Sequence, residues 1–261
     1  MWTVSFPNML ALVLWASSAN AFLPGQQRQS VASGFGFRLS SAATSQDTPA
    51  VLPEFKNKEE YMSFMEGVSG LPKGFATGTA KGTFISQEAP DLGNLPIKGT
   101  VIHLTDGPTD NWAAVFTSNK FPGAPIIVGR KRLADGGPLN ALVINNKVSN
   151  VCSGGDGVAD SELVCEAVAK ALDLEGGAST VLPSSTGVIG WRLPAKELAG
   201  DVVPEAVKNL DSSSGLDAAT AIMTTDRWPK LRSKTLKNGA RVVGIAKGAG
   251  MYDCFSFSIL R

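Results

Sequence analysis

The sequence predicts a chain that mixes β-strands with α-helices, and three observations carry that expectation. Between Phe75 and Asn145, short apolar runs alternate with Gly, Pro, Asn and Asp, the pattern of strands closed by turns. From Asp160 to Asp173 the apolar residues Val164, Ala167, Val168, Ala171 and Leu172 recur at helical spacing. Near the end, Arg241-Val242-Val243-Gly244-Ile245-Ala246 has the β-branched content of a short buried strand. That strand runs directly into Lys247 and a turn containing Gly248 and Gly250.

Taken in order, the chain opens with a segment that does not read as fold. Met9 to Ala16 is an apolar run too short to span a bilayer, and Ala19-Asn20-Ala21 supplies a small-x-small cleavage site. No charge precedes Arg28, so the basic start of an ordinary signal peptide is missing. After Phe22-Leu23-Pro24 comes a stretch with Arg28 and Arg38, five serines and no acid before Asp47. That composition is transit-peptide-like. A signal peptide over 1–21 joined to a transit segment over 22–45 resembles the bipartite presequences of algae with complex plastids. Plastid targeting is therefore expected, with secretion or a mitochondrion as alternatives. Residues 46–70 read as a linker with a short amphipathic helix from Lys56 to Met65.

Beyond the turn at Gly70-Leu71-Pro72, strands are expected at Phe75–Thr79, Val101–Leu104, Ala113–Thr117, Ile126–Gly129 and Ala141–Asn145. His103 alternates within an apolar strand and reads as structural. The loop Ser153-Gly154-Gly155-Asp156-Gly157 leads into the Asp160–Asp173 helix but lacks both the Walker and the dinucleotide spacing. Gly176-Gly177 closes that helix. Pro194 and Pro204 suit helix starts, and Ala218 to Met223 reads as a further helical piece.

The chain has 261 residues, a formal charge of +1, 43% hydrophobic and 18% charged residues, and that suits a globular core. Near-neutral charge gives no electrostatic reason to expect nucleic acid or a membrane surface as a partner of the mature protein. Cys152, Cys165 and Cys254 have no C-x-x-C spacing, and with the single His103 they make a poor zinc set, so no metal is expected.

Three segments carry the chemistry. Val181 to Gly190 concentrates Ser184, Ser185, Thr186 and Gly187, which suits either an oxyanion hole or a Ser/Thr turn. Thr224-Thr225-Asp226 places hydroxyls beside an acid, able to bind a substrate or to end a helix. Lys247, at a strand end before glycines, can bind a carboxylate or face solvent.

In this order, Ser185-Thr186-Gly187-Val188-Ile189-Gly190, Ala221-Ile222-Met223-Thr224-Thr225-Asp226 and Gly244-Ile245-Ala246-Lys247-Gly248-Ala249-Gly250-Met251 resemble the ornithine acetyltransferase family of arginine biosynthesis. Lys73-Gly74-Phe75, Ala114 to Asn119 and Asn140 to Asn145 fit the same pattern more loosely, so the resemblance covers 71–251. It implies the α+β class, with a pair of mixed sheets layered with helices in a self-processing fold. It also implies acetyl transfer from N-acetylornithine to glutamate, with acetyl-CoA as a further donor in bifunctional members and no other cofactor. Thr186 and Gly187 would form the oxyanion hole, and Thr224 and Lys247 would hold substrate. Family precursors cut themselves before a threonine, which becomes the nucleophile, and the two products assemble as a heterotetramer of two alpha and two beta chains.

The sequence departs from the pattern twice. Asn145 to Cys152 replaces a run that is richer in Gly and Ala in the family. After Met251 the family continues to a Met-Ala-Thr segment and a second chain, whereas here Tyr252 to Arg261 follows. Ser258 stands eleven residues after Lys247, but Phe257 precedes it instead of alanine and it is read as coincidence. The expectation is therefore an alpha-chain-like first half without an identified nucleophile, inactive as written, followed by an aberrant tail over 252–261. Two alternatives stand beside it: a non-catalytic ligand-binding or partner subunit, and a related self-processing aminopeptidase or amidase.

Overall fold

The computed structural model describes residues 46–248 and, by backbone, Leu10–Ala16. The expected cleavage site at 19–21, the segment 22–45, the turn beyond Gly248, Cys254, Ser258 and the tail lie outside the described residues.

A four-stranded sheet forms the middle of the molecule, in the order β2-β3-β4-β5. Strands β2 (Phe75–Ile85) and β3 (Asn94–Leu104) pair antiparallel along their full length, Phe75 opposite Leu104 and Ile85 opposite Asn94. Both run further than the apolar pattern indicates. Their outer ends carry Lys81, Gly82, Pro96 and Lys98 alongside the buried Phe84 and Ile97, so the ladder continues through residues that interrupt the apolar pattern. Strand β4 (Ala141–Asn145) adds antiparallel to β3, and β5 (Val181–Ser185) adds parallel to β4. A parallel pair needs a crossover, and α3 (Gly157–Ala171) supplies it. The Asp156 side chain caps α3 by accepting the Ala159 N–H, so the helix begins before Asp160.

Period-two alternation then divides two cores across this sheet. Ile97, Val101, Ala141 and Val143 face Val164, Val168, Leu198, Val202 and Ala206 of the helical layer. Ile102, Leu104, Leu142 and Ile144 face the opposite way, towards Leu231, Val243 and Ile245. Those three belong to a second sheet, ordered β1 (Leu10–Ala16), β7 (Arg241–Lys247), β6 (Lys230–Thr235), with both pairings antiparallel. Helices α1 (Lys58–Val68) and α6 (Leu216–Ala221) fill the second core through Tyr61, Met65 and Ala219. The observed architecture is the expected pair of sheets layered with helices.

On the helical side, α4 (Ala195–Glu197), a π-turn at Leu198–Val202 and α5 (Val203–Lys208) form one run after Pro194. That run lies close because Gly78 has no side chain: a Cβ there would meet the Ala206 carbonyl oxygen at 2.0 Å.

Four sequence expectations are corrected. Leu10–Ala16, read as part of a presequence outside the fold, pairs antiparallel with β7 as strand β1. Ile126–Gly129 is no strand but the first half of helix α2 (Ala124–Asp135), which has Pro125 in its first turn and a left-handed Gly136 at its end. Its buried residues Ile126, Gly129 and Arg132 follow helical spacing, which outweighs β-branched propensity. Ala113–Thr117 forms no strand, and Phe116 instead lays its ring over α2 at Gly129, where an added methyl would lie 2.7 Å from the ring. Finally, residues 46–48 are docked rather than loose. Thr48 and Ser233 exchange backbone and hydroxyl hydrogen bonds, and Asp47 accepts from the Thr235 N–H.

Candidate active site

Just past β5 the chain turns against the loop that follows β4, and the two are stitched together. The Thr186 N–H donates to the Asn145 carbonyl at 3.0 Å, and the Val188 N–H to the Lys147 carbonyl at 2.8 Å. Ser149 returns a bond to the Val188 carbonyl from its N–H at 2.9 Å and from its hydroxyl at 2.7 Å. Gly187 lies between these bonds at φ +140°, and a Cβ there would fall 2.1 Å from the Lys147 carbonyl carbon. Only glycine fits such an approach.

This stitching leaves two donors unused. Thr186 is 5% exposed, yet its hydroxyl has no partner among the described residues. The Gly187 N–H also has none among them, although the N–H groups on both sides are paired. A buried donor left unsatisfied is costly, and these two lie on successive residues of a loop held by backbone contacts. The facing loop is strained: Lys147, Asn150 and Cys152 all have positive φ without being glycine. Asn150 anchors it, donating to the Gly157 carbonyl and to the Ser161 hydroxyl.

Two asparagines at the end of β4 carry the connection onward. Asn145 accepts the Ser185 hydroxyl at 2.6 Å and donates to the Val148 carbonyl at 2.8 Å. Asn146 accepts the Lys98 N–H at 2.8 Å and donates to the carbonyls of Ala221 and Met223, at 3.2 and 3.1 Å. Thr224, which is exposed, follows immediately. The hydrogen bonds thus run from the Thr186 loop through Asn145 and Asn146 to the segment holding Thr224.

The same segment reaches Lys247. Asp226 lies 3.6 Å from Lys247 Nζ, with both side chains almost fully buried. Its other oxygen accepts from Lys230 Nζ at 2.7 Å and from the Gly248 N–H at 3.1 Å. Burial alone would raise the Asp226 carboxyl, but the Lys230 and Gly248 hydrogen bonds and the charges of both lysines hold it below its ordinary value. The connection is pinned from the far side by Tyr61, whose hydroxyl donates to the Pro229 carbonyl at 2.6 Å and whose ring meets Trp228.

The segments that hold the four residues singled out in the sequence are therefore joined by hydrogen bonds, the Asp226–Lys247 ion pair and the chain itself. Thr186 joins Lys247 only through intermediaries, and Lys247 is interior rather than open. Sequence reading takes the strand end at Asn145 and Asn146 only as polar groups that feed a site or form a turn, and it misses Lys230 altogether. The one available signal for the asparagines was their position at the polar end of an otherwise apolar strand. His103 takes no part in this path, and burial holds its imidazole below the ordinary value. Among the described residues no three His, Cys, Asp or Glu side chains gather as a metal set, and no helix is long and apolar enough to cross a membrane.

Comparison with known proteins decides the family. The ArgJ family model matches residues 97–255, which includes every segment of the path. This chain belongs to the ArgJ family. The arginine biosynthesis bifunctional protein ArgJ of Nitratidesulfovibrio vulgaris is 36% identical over 187 residues, covering 70% of this chain and 44% of that protein. The mitochondrial ArgJ protein of Lodderomyces elongisporus is 37% identical over 161 residues, covering 58% of this chain and 35% of that one. The chain thus spans less than half the length of these curated ArgJ relatives. Among solved structures, the Mycobacterium tuberculosis ornithine acetyltransferase complexed with ornithine superimposes with a TM-score of 0.61 at 33% identity, over 71% of this chain and 95% of that one. The Bacillus halodurans ArgJ protein, 23% identical with a TM-score of 0.51, shares the fold.

Proposed function

We propose that this chain forms the oxyanion-stabilising and substrate-holding part of an acetyltransferase that moves acetyl from N-acetylornithine to glutamate in arginine biosynthesis. The observation that carries this reading is the pair of unpartnered donors, Thr186 Oγ1 and the Gly187 N–H, on a loop fixed by backbone contacts. When a nucleophile adds to the acetyl carbonyl, the carbon becomes tetrahedral and its oxygen gains negative charge. Thr186 and Gly187 donate to that oxygen and stabilise it more than the neutral carbonyl, which is what lowers the barrier. Thr224 contributes an exposed hydroxyl for the substrate, and Lys247 a cation for its carboxylate. No nucleophile is assigned among the described residues. On the same reading acetyl-CoA serves as a second donor, and the chain works within a heterotetramer formed by self-cleavage.

In the assembled enzyme that carries this chain, Thr186→Ala should slow acetyl transfer about a hundredfold or more, the usual loss for one oxyanion donor. Lys247→Ala should mainly raise KM for the amino-acid substrate. Full activity in both variants would place the site elsewhere. We further propose plastid delivery by residues 1–45. A fluorescent fusion of residues 1–50 should enter plastids and lose that destination with Phe22→Ala, and secretion of both fusions would refute it.

A further inference from the structure

Asp226 stands where two of the three functional segments meet, and its side chain is 1% exposed. Oδ1 is saturated by Lys230 Nζ and the Gly248 N–H. Oδ2 has no hydrogen-bond partner among the described residues and faces Lys247 Nζ at 3.6 Å, beyond hydrogen-bond length. The Lys247 side chain is itself only 3% exposed. An ammonium buried to that degree needs a counter-charge. Strand β7 offers none near it, and the adjoining end of β6 presents another lysine, Lys230. Two ammonium groups around one carboxylate leave the cluster with one positive charge in excess, the sign that suits a carboxylate ligand.

We propose that Asp226 is the positioning residue of this site: fixed by the Gly248 N–H, it holds the Lys247 ammonium in place for an anionic substrate group without touching the substrate. Lys230 shares the carboxylate and keeps it from cancelling the charge of Lys247. The choice of glutamate as probe rests on the acetyltransferase reading, whereas the ion pair does not.

The test compares full-length wild type with Asp226→Asn, Lys247→Gln and the double variant, with glutamate affinity measured by calorimetry. Charge alone predicts that Asp226→Asn tightens glutamate binding, since it removes a negative group. Positioning predicts the opposite sign: binding weakens about tenfold or more, while in the Lys247→Gln background the same change alters affinity less than about twofold. Tighter or unchanged binding, or equal loss in both backgrounds, overturns the proposal. Lysine side-chain NMR reads the same claim without substrate. The Lys247 ammonium protons should be protected from exchange in the wild type and lose that protection in Asp226→Asn, and unchanged protection refutes it. If wild type binds no glutamate, the substrate reading fails and the NMR result decides Asp226 alone. If Asp226→Asn does not fold, the double variant should recover folding, because no buried cation is then unpaired. Failure to recover would show that Asp226 acts through something other than Lys247.

Discussion

Gly187 sits at φ +140° with the Lys147 carbonyl carbon 2.1 Å from the place a Cβ would occupy. Gly187→Ala must therefore either strain the backbone or part the two loops. A loss of about 1–3 kcal/mol is expected in a denaturant titration, together with loss of whatever the Thr186 hydroxyl contributes. Asp226 makes a prediction in pH. Its carboxyl titrates below the ordinary carboxylate value of 3.8, so the folded state holds its charge more firmly than the unfolded chain does. The stability it contributes is present in full above that value and lost as pH falls through the lower, folded one. Denaturation midpoints should thus show no Asp226-linked change between neutrality and about pH 5, and Asp226→Asn should flatten the decline below about pH 4. Asp47 acts in the same sense at the edge of β6, where the Lys234 and Thr235 side chains lower its carboxyl. The Cys165 thiol is the opposite case, pushed up to about 12 by burial and so unreactive at neutral pH.

At the scale of elements, the site depends on connections rather than on helices or strands alone. Asn146 ties the end of β4 both to β3 and to the segment after α6. Asn146→Ala removes all three bonds and should cost about 1–3 kcal/mol in equilibrium unfolding, with the Thr224 segment loosened selectively in hydrogen exchange. Tyr61→Phe, which removes only the bond to the Pro229 carbonyl, should cost about 1 kcal/mol by the same measurement. These ties explain which parts of the structure the sequence reveals. Strand β4 and helix α3 are apparent because apolar periodicity and caps are local properties, written in adjacent residues. Thr186, Gly187 and Lys247 are apparent because their motifs are contiguous. Asn145 and Asn146 are not: their value lies in partners such as Ser185 and Met223, far away in the chain. Helix α2 was misread for a related reason, since Ile126, Ile127 and Val128 have strand propensity while burial in three dimensions selects a helix.

At the scale of the molecule, two sheets face each other across the core formed by Phe75, Ile102, Leu142, Leu231 and Ile245. The four-stranded sheet delivers the Thr186 loop and the second sheet delivers Lys247, so the proposed site spans both sheets. The connection between α6 and β6 carries Thr224 and Asp226 and spans the two. On the proposed function, these three separated segments make a single amino-acid site. The most direct measurement is a titration of ornithine into the isotopically labelled full-length chain, followed by backbone NMR. Shifts should concentrate at Thr186–Val188, Thr224–Asp226 and Lys247–Gly248 and rise together along one saturation curve. Shifts confined elsewhere, such as the cleft between Phe84 and Arg192, or separate saturation of the three segments, would contradict it.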